Sequence, residues 1–220
     1  MIRGLFVTGT GTGVGKTVLC AALVRRYRGV APLRYWKPVQ TGIEQDDDTA
    51  EVRRLAAASD AEIFDQGVRL ENPVSPHLAA KRAGETISLH RLRQMLPAGE
   101  ETRWIIEGAG GPLVPLNEVS TMAHFMTMLG LPVLIAARSG LGTINHTLLT
   151  IEALRSRSIA VAGVVMIGDP NADNAEAIEQ YGHVPVLAQM PHLDPLTPES
   201  LGAWTAAHFD THKFLEKLLI

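Results

Sequence analysis

The chain of 220 residues has one cysteine, few aromatic residues (5%) and almost no excess of charge of either sign. With Cys20 as the only cysteine, an internal disulfide framework and a cysteine-based zinc site are both excluded. Cys20 lies among apolar residues of a predicted helix and reads as a small core filler. A formal net charge of −3 supplies no general basic field, so no nucleic-acid partner is expected. The longest apolar stretches, such as 159–167, fall far short of the roughly 20 residues that span a bilayer, and no membrane partner is expected. The opening MIRGLFVTGT carries neither the cationic stretch nor the long apolar stretch of a secretory signal. It reads as a strand entering a glycine loop, and the expected location is the cytoplasm.

What is present is enough for one substantial core. Hydrophobic residues make up 46% of the chain, and a fold of this length hides roughly 70% of its unfolded surface. No repeat, low-complexity stretch or linker divides it, so residues 1–220 are expected to form a single domain. Short β-rich apolar runs alternate with helical patterns, the pattern of a mostly parallel sheet with helices on both faces. The predicted strands are Gly4–Thr8, Arg34–Pro38, Trp104–Glu107, Pro132–Ala136, Ala160–Ile167 and Pro185–Gln189. The predicted helices are Lys16–Tyr27, Asp48–Ala58, Leu89–Leu96 and Thr143–Arg155, with a short amphipathic helix at Asp210–Ile220 that packs at an edge or a dimer contact. The longest irregular stretches, Thr41–Asp47 and Phe64–His77, are candidates for functional loops.

The segment Gly9-Thr10-Gly11-Thr12-Gly13-Val14-Gly15-Lys16-Thr17 joins the first strand to the first helix. Glycines let backbone N–H groups converge on phosphate oxygens, and the helix N-terminus adds positive partial charge. A lysine in this place reaches the outer phosphates, and the Thr17 hydroxyl is available to Mg²⁺. The spacing differs from G-x-x-x-x-G-K-[ST] only in that Thr10 holds the place of the first glycine. A P-loop NTPase fold follows. The loop alone leaves kinases, GTPases, partition-type ATPases and ATP-dependent ligases open. No Asn-Lys-x-Asp base signature of a GTPase occurs, nor an Arg-rich lid of a nucleoside monophosphate kinase. Gly11 stands where partition and septum-site ATPases carry an extra lysine.

The second strand ends in Tyr35-Trp36-Lys37-Pro38-Val39-Gln40-Thr41-Gly42. Ligand crevices of parallel α/β sheets lie at the carboxyl ends of the strands, so Lys37 and Thr41 are expected beside the phosphate loop. Asp48 opens a helix after that loop, and Glu107 ends the third strand before Gly108-Ala109-Gly110-Gly111. Carboxylates so placed suit Mg²⁺. For the run Asp46-Asp47-Asp48 a solvated, helix-capping turn is the alternative reading.

Gly-Thr-x-Thr-x-Val-Gly-Lys-Thr, Lys-Pro-Val-x-Thr-Gly, Ser75-Pro76-His77, Glu107-Gly-Ala-Gly-Gly and Leu141-Gly-Thr-Ile-Asn145-His146 together resemble the dethiobiotin synthetase family, in order and spacing, over about the first two thirds of the chain. The resemblance implies an ATP- and Mg²⁺-dependent cyclo-ligase of biotin biosynthesis that closes a ureido ring on 7,8-diaminononanoate with CO₂. It implies phosphate binding by Thr12, Gly13, Val14, Gly15, Lys16, Thr17 and Val18, and metal binding by Thr17, Asp48 and Glu107. Lys37 and Lys16 take the catalytic places. Gly108, Ala109 and Gly110 lie near the nucleotide, and Thr41, Gly111, Gly142, Thr143 and Asn145 near the diamine substrate. The last three imply a homodimer, because the family takes the tail-carboxylate site from the other subunit. Gly168, Asp169, Pro191, His192 and Leu193 match base-contacting segments by position, although Ile167-Gly168-Asp169 replaces an adenine-reading Asn-Asp pair. Gly13 replaces an acidic loop residue of some members. A partition-type switch ATPase and a relative of the ATP-dependent amidase domains of corrinoid biosynthesis remain as alternatives.

Overall fold

The computed structural model describes residues 2–97 and 101–219. Along the chain it runs β1 (Arg3–Gly9), α1 (Lys16–Tyr27), β2 (Leu33–Trp36), β3 (Val39–Thr41), α2 (Asp48–Ala56), a 3-10 turn at Asp60–Glu62, β4 (Ile63–Phe64), β5 (Val68–Leu70), α3 (Pro76–Arg82) and α4 (Leu89–Met95). It continues through β6 (Arg103–Glu107), α5 (Met122–Leu129), β7 (Val133–Arg138), α6 (Thr143–Arg155), β8 (Val161–Ile167), α7 (Ala172–Gly182), β9 (Val186–Met190), α8 (Pro198–His208) and α9 (Glu216–Leu219). Seven strands form one sheet in the order β4-β2-β6-β1-β7-β8-β9, and each neighbouring pair is parallel. β1 is central, with β6 on one side and β7 on the other. The loops leaving the carboxyl ends of these strands therefore share one crevice.

Alternation along each strand sends side chains to opposite faces, and each face carries its own core. Leu5, Val7, Tyr35, Ile105 and Leu134 pack with α1, α2 and α8. Phe6, Trp36, Trp104, Ile106, Val133 and Ile135 pack with residues of α3 to α7. Aromatic rings meet edge to face on this second face, Trp36 and Phe64 with centroids 5.8 Å apart and Phe64 and Trp104 at 5.3 Å, while Tyr27, Tyr35, Trp204 and Phe209 belong to the first. Each fully buried large side chain contributes about 1.5–3 kcal/mol of transfer free energy, so the two faces hold the sheet without covalent staples. Cys20 is a buried free thiol in the α1 face, as a core filler should be.

Two sequence expectations change. The stretch Phe64–His77 contains β5, which pairs in parallel with β3 as a separate two-stranded sheet, and the start of α3. The C-terminal segment is helical only at Glu216–Leu219. Asp210 sits at φ +48, and its carboxylate accepts N–H bonds from Phe214 (2.7 Å), Leu215 and Glu216 and an O–H bond from buried Tyr27. That cluster spends the backbone donors on a tight turn, which a continuous helix from Asp210 would need for itself. Ile220 lies outside the described residues. Among the described residues no helix is long and apolar enough to cross a membrane.

Candidate active site

The loop between β1 and α1 is fastened at both shoulders by main-chain bonds: Gly9 N donates to Gly110 O (3.2 Å) and Thr10 N to Ala136 O (3.0 Å). Gly15 is the N-cap of α1, in the left-handed region at φ 91, and no side chain caps the helix. A Cβ at Gly15 would lie 2.7 Å from Ile167 Cδ1, so glycine answers both the backbone conformation and the close contact. An uncapped N-terminus leaves N–H groups pointing toward the cleft, where they suit an anion. Lys16 is buried with Nζ 3.4 Å from Gly11 O. Burial, followed by the nearby Lys37 charge, lowers its pKa below the ordinary lysine value.

Four polar side chains meet beneath this loop. On β2 and β6 the register sets Tyr35 opposite Ile105 and Trp36 opposite Ile106, so the next position brings Lys37 opposite Glu107. Lys37 Nζ lies 2.7 Å from Glu107 Oε1 and pairs also with Asp48. Thr17 Oγ1 donates to Asp48 Oδ1 (2.7 Å) and lies 3.2 Å from Glu107 Oε1. Glu107 is wholly buried and Lys37 is 3% exposed, so the ammonium is held among the acids and not extended to solvent. Burial works to lower the Lys37 pKa, but Glu107 and Asp48 outweigh it and hold the ammonium above the ordinary lysine range. Asp48 is shifted the opposite way: burial raises it, and the Lys37 charge and hydrogen bonds bring it below the ordinary carboxylate range.

The acidic run divides its labour. Asp47 is the N-cap of α2, accepting from Thr49 N (2.9 Å) and Ala50 N (3.0 Å), and Asp46 offers its carbonyl to Gln40 Nε2 (2.9 Å). Capping by Asp47 frees the Asp48 carboxylate to face Lys37. The Thr17 hydroxyl with the Asp48 and Glu107 carboxylates is an all-oxygen donor set beside the phosphate loop, which fits Mg²⁺ shared with a nucleotide.

A cavity of about 530 Å³ opens over this cluster. Of the residues assigned from sequence, Thr12, Gly13, Lys16, Thr17, Lys37, Thr41, Asp48, Glu107, Ala109 and Gly110 line it. Gly111 backs onto the loop, where a Cβ would come within 3.0 Å of Gly9 O, and lines a neighbouring groove with Leu113, His146 and Leu149. Gly168 and His192 adjoin each other, with Gly168 N bonded to Met190 O (2.9 Å). Gly142, Thr143 and Asn145 do not line the cavity. Thr143 is buried and donates its hydroxyl to Arg138 O, while Asn145 is exposed. Three contributors were not singled out from sequence. Tyr35 donates to Glu107 Oε2, Gln40 lines the cavity, and Arg138 Nη2 lies 3.4 Å from Thr12 O. For Tyr35 the signal was present, since it shares a strand face with Lys37 two residues on.

A parallel sheet, an uncapped glycine loop with its lysine, and an oxygen-rich pocket beside it define a P-loop NTPase fold. A family model described as an AAA domain matches residues 3–200. Among solved structures the septum site-determining protein MinD of Pyrococcus horikoshii aligns with TM-score 0.58 at 16% identity, covering 99% of this chain and 95% of that one. A ParA family ATPase of Chlorobium tepidum aligns at 0.57 and 8% identity, covering 100% and 98%. At such identities the likeness concerns the fold. The ATP-dependent dethiobiotin synthetases of Agrobacterium fabrum and Rhodopseudomonas palustris are each 45% identical to this chain, over 96% of both chains in the first case and 98% in the second. A bifunctional biotin biosynthesis protein of Bordetella avium matches at 45% over 92% of this chain and 42% of its own length. The chain belongs to the ATP-dependent dethiobiotin synthetase family.

Proposed function

We propose that this chain converts 7,8-diaminononanoate and CO₂ to dethiobiotin in biotin biosynthesis, using ATP and Mg²⁺ and releasing ADP and phosphate. The observation that carries the reading is the convergence of Lys16, Lys37, Thr17, Asp48 and Glu107 on one cleft in a member of this family. A switch ATPase would need the same loop, but it does not call for a cleft that extends from the loop to Lys37 and Thr41.

In this scheme one neutral amine takes up CO₂ as a carbamate, losing a proton to solvent. A carbamate oxygen attacks the γ-phosphorus and ADP leaves, giving a carbamic-phosphoric anhydride. The second amine attacks the anhydride carbon, the five-membered ring closes and phosphate departs. Lys16 contacts the β- and γ-phosphates, with the backbone from Thr12 to Val18 around them. Lys37 offsets the repulsion between carbamate and triphosphate, the main obstacle in such transfer. Thr17, Asp48 and Glu107 would hold Mg²⁺, which when bound neutralises charge on the phosphate oxygens. Lys37 now lies between the two acids, so the same ammonium exchanges carboxylate partners for substrate anions when the cleft fills. Holding both amines beside the anhydride makes ring closure effectively unimolecular.

The substrate's tail carboxylate is assigned to the N-terminus of α6 in a second subunit. Gly142 caps that helix without any side-chain bond. Leu141 is fully exposed, and Leu113 and Leu149 are more than half exposed beside the groove next to the cleft. Apolar side chains so arranged suit a homodimer. Gly168, Asp169 and 191–193 are assigned to the base by their position, Ile167-Gly168-Asp169 standing in place of an Asn-Asp pair. The test is phosphate release by purified protein with ATP and Mg²⁺. Release that requires both diamine and bicarbonate supports the ligase, and release stimulated by neither overturns it.

A further inference from the structure

The buried carboxylate of Glu107 divides its two oxygens between opposite tasks. Oε1 faces the cleft, 2.7 Å from Lys37 Nζ and 3.2 Å from Thr17 Oγ1. Oε2 faces away from the cleft and accepts a hydrogen bond from Tyr35 Oη at 2.9 Å. Tyr35 is wholly buried in the α1 face of the sheet, and its side chain lies on the same face as Lys37 because the two are two residues apart on one strand path. Burial, followed by the Glu107 charge, pushes the phenol pKa well up, so the group remains a neutral donor. A carboxylate with no exposure needs hydrogen bonds on both oxygens, and a second cation behind it would compete with any metal in front. A phenol satisfies Oε2 without adding charge.

We propose that Tyr35 is a positioning residue that fixes the rotation of the Glu107 carboxylate, so that Oε1 is presented to the nucleotide-bound divalent cation. The inference rests on the Mg²⁺ reading above and deepens it. Without the phenol, the buried carboxylate keeps only the weakly donating Cys20 thiol beside it in the core and turns to share Lys37 and Thr17 between both oxygens. The acid then no longer holds one oxygen toward the cation. Groups that orient a metal's carboxylate partners contribute on the order of 10–100-fold in metal affinity.

The experiment measures ADP affinity by titration calorimetry with and without Mg²⁺, which requires no turnover. Tyr35→Phe is compared with wild type and with Tyr27→Phe. The second variant removes an equally buried phenol-to-carboxylate bond, to Asp210, away from the cleft. Tyr35→Met, a flexible filler that also lacks the donor, serves if the phenylalanine variant does not fold. The expected result is an unchanged ADP affinity without metal and a Mg²⁺-dependent gain reduced by about tenfold in the Tyr35 variants only. Equal Mg²⁺ gains in wild type and the Tyr35 variants overturn the positioning role while the metal reading stands. A wild-type protein whose ADP affinity ignores Mg²⁺ overturns the metal reading, and this inference falls with it.

Discussion

Lys37 and Glu107 face each other from the ends of adjacent parallel strands, Nζ 2.7 Å from Oε1, with neither side chain more than a few per cent exposed. The pair is closed by Asp48 from the start of α2, so one ammonium serves two carboxylates. This arrangement links stability to function. The charges that hold the site together are those a triphosphate and a metal would rearrange.

Lys37→Ala should therefore act twice. Phosphate release that depends on diamine and bicarbonate should fall below detection, while ADP still binds through the loop and Lys16. Without Mg²⁺ the variant should also lose about 3–5 kcal/mol of stability, because a buried Glu107 is left facing Asp48 unpaired. Thermal unfolding with and without Mg²⁺ reads this, with the loss partly recovered when metal is added. A variant as stable as wild type without metal would contradict the pairing.

The pair also dictates a pH window. The Asp48 pKa is depressed in the fold, so its contribution is present above its unfolded value of about 4 and is lost as pH falls through the lower folded value. Lys37 is raised, so its share is present below about 10.4 and is lost only as pH rises through the higher folded value. In metal-free urea unfolding, the gap between wild type and Asp48→Asn should be flat from about pH 5 to pH 9 and should close below pH 4. A gap that widens toward acid would reverse the assigned direction.

Gly15→Ala should abolish nucleotide binding. Its φ of 91 costs an alanine about 1–2 kcal/mol, and the added methyl meets Ile167 at 2.7 Å. Relief comes by shifting the loop, which misaligns the N–H groups meant for phosphate. Fluorescent ADP titration at matched folded fraction measures it, and wild-type affinity would show that the loop tolerates the change.

If the chain pairs as proposed, Leu141→Asp with Leu149→Asp should convert the homodimer to monomers in sedimentation velocity and strip diamine-dependent turnover while sparing ADP binding. Both side chains are exposed in the single chain, so the fold itself should keep its unfolding midpoint to within the effect of about 0.5 kcal/mol expected of surface changes. A wild-type chain that sediments as a monomer would remove the second-subunit site.

Much of the architecture was legible because it rests on local pattern. The glycine loop announces itself through Gly15-Lys16-Thr17 after an apolar strand, and alternation of apolar runs with helical spacing points to the parallel sheet. Lys37 and Glu107 were legible as candidates because both end predicted strands. The C-terminal turn was not, since Asp210 is drawn out of helix by three N–H groups and by Tyr27, a partner 183 positions away. Likewise β3 and β5 are three residues each, too short for periodicity to register, and exist because Val68 to Leu70 finds Val39 to Thr41 beside it.

The chain's own order of residues determined a phosphate loop, a strand pattern and a short roster of lysines and acids able to serve a nucleotide. It did not determine which acid in Asp46-Asp47-Asp48 turns inward, that Tyr35 stands behind Glu107, or that Gly142 to Asn145 lie apart from the cleft of their own chain. The first two depend on Asp47 taking the helix cap and on the register of β2 against β6, and the third on where β7 delivers the start of α6. Hydrogen-bond and charge partners across a sheet are chosen by three-dimensional proximity, and no spacing along the sequence encodes it.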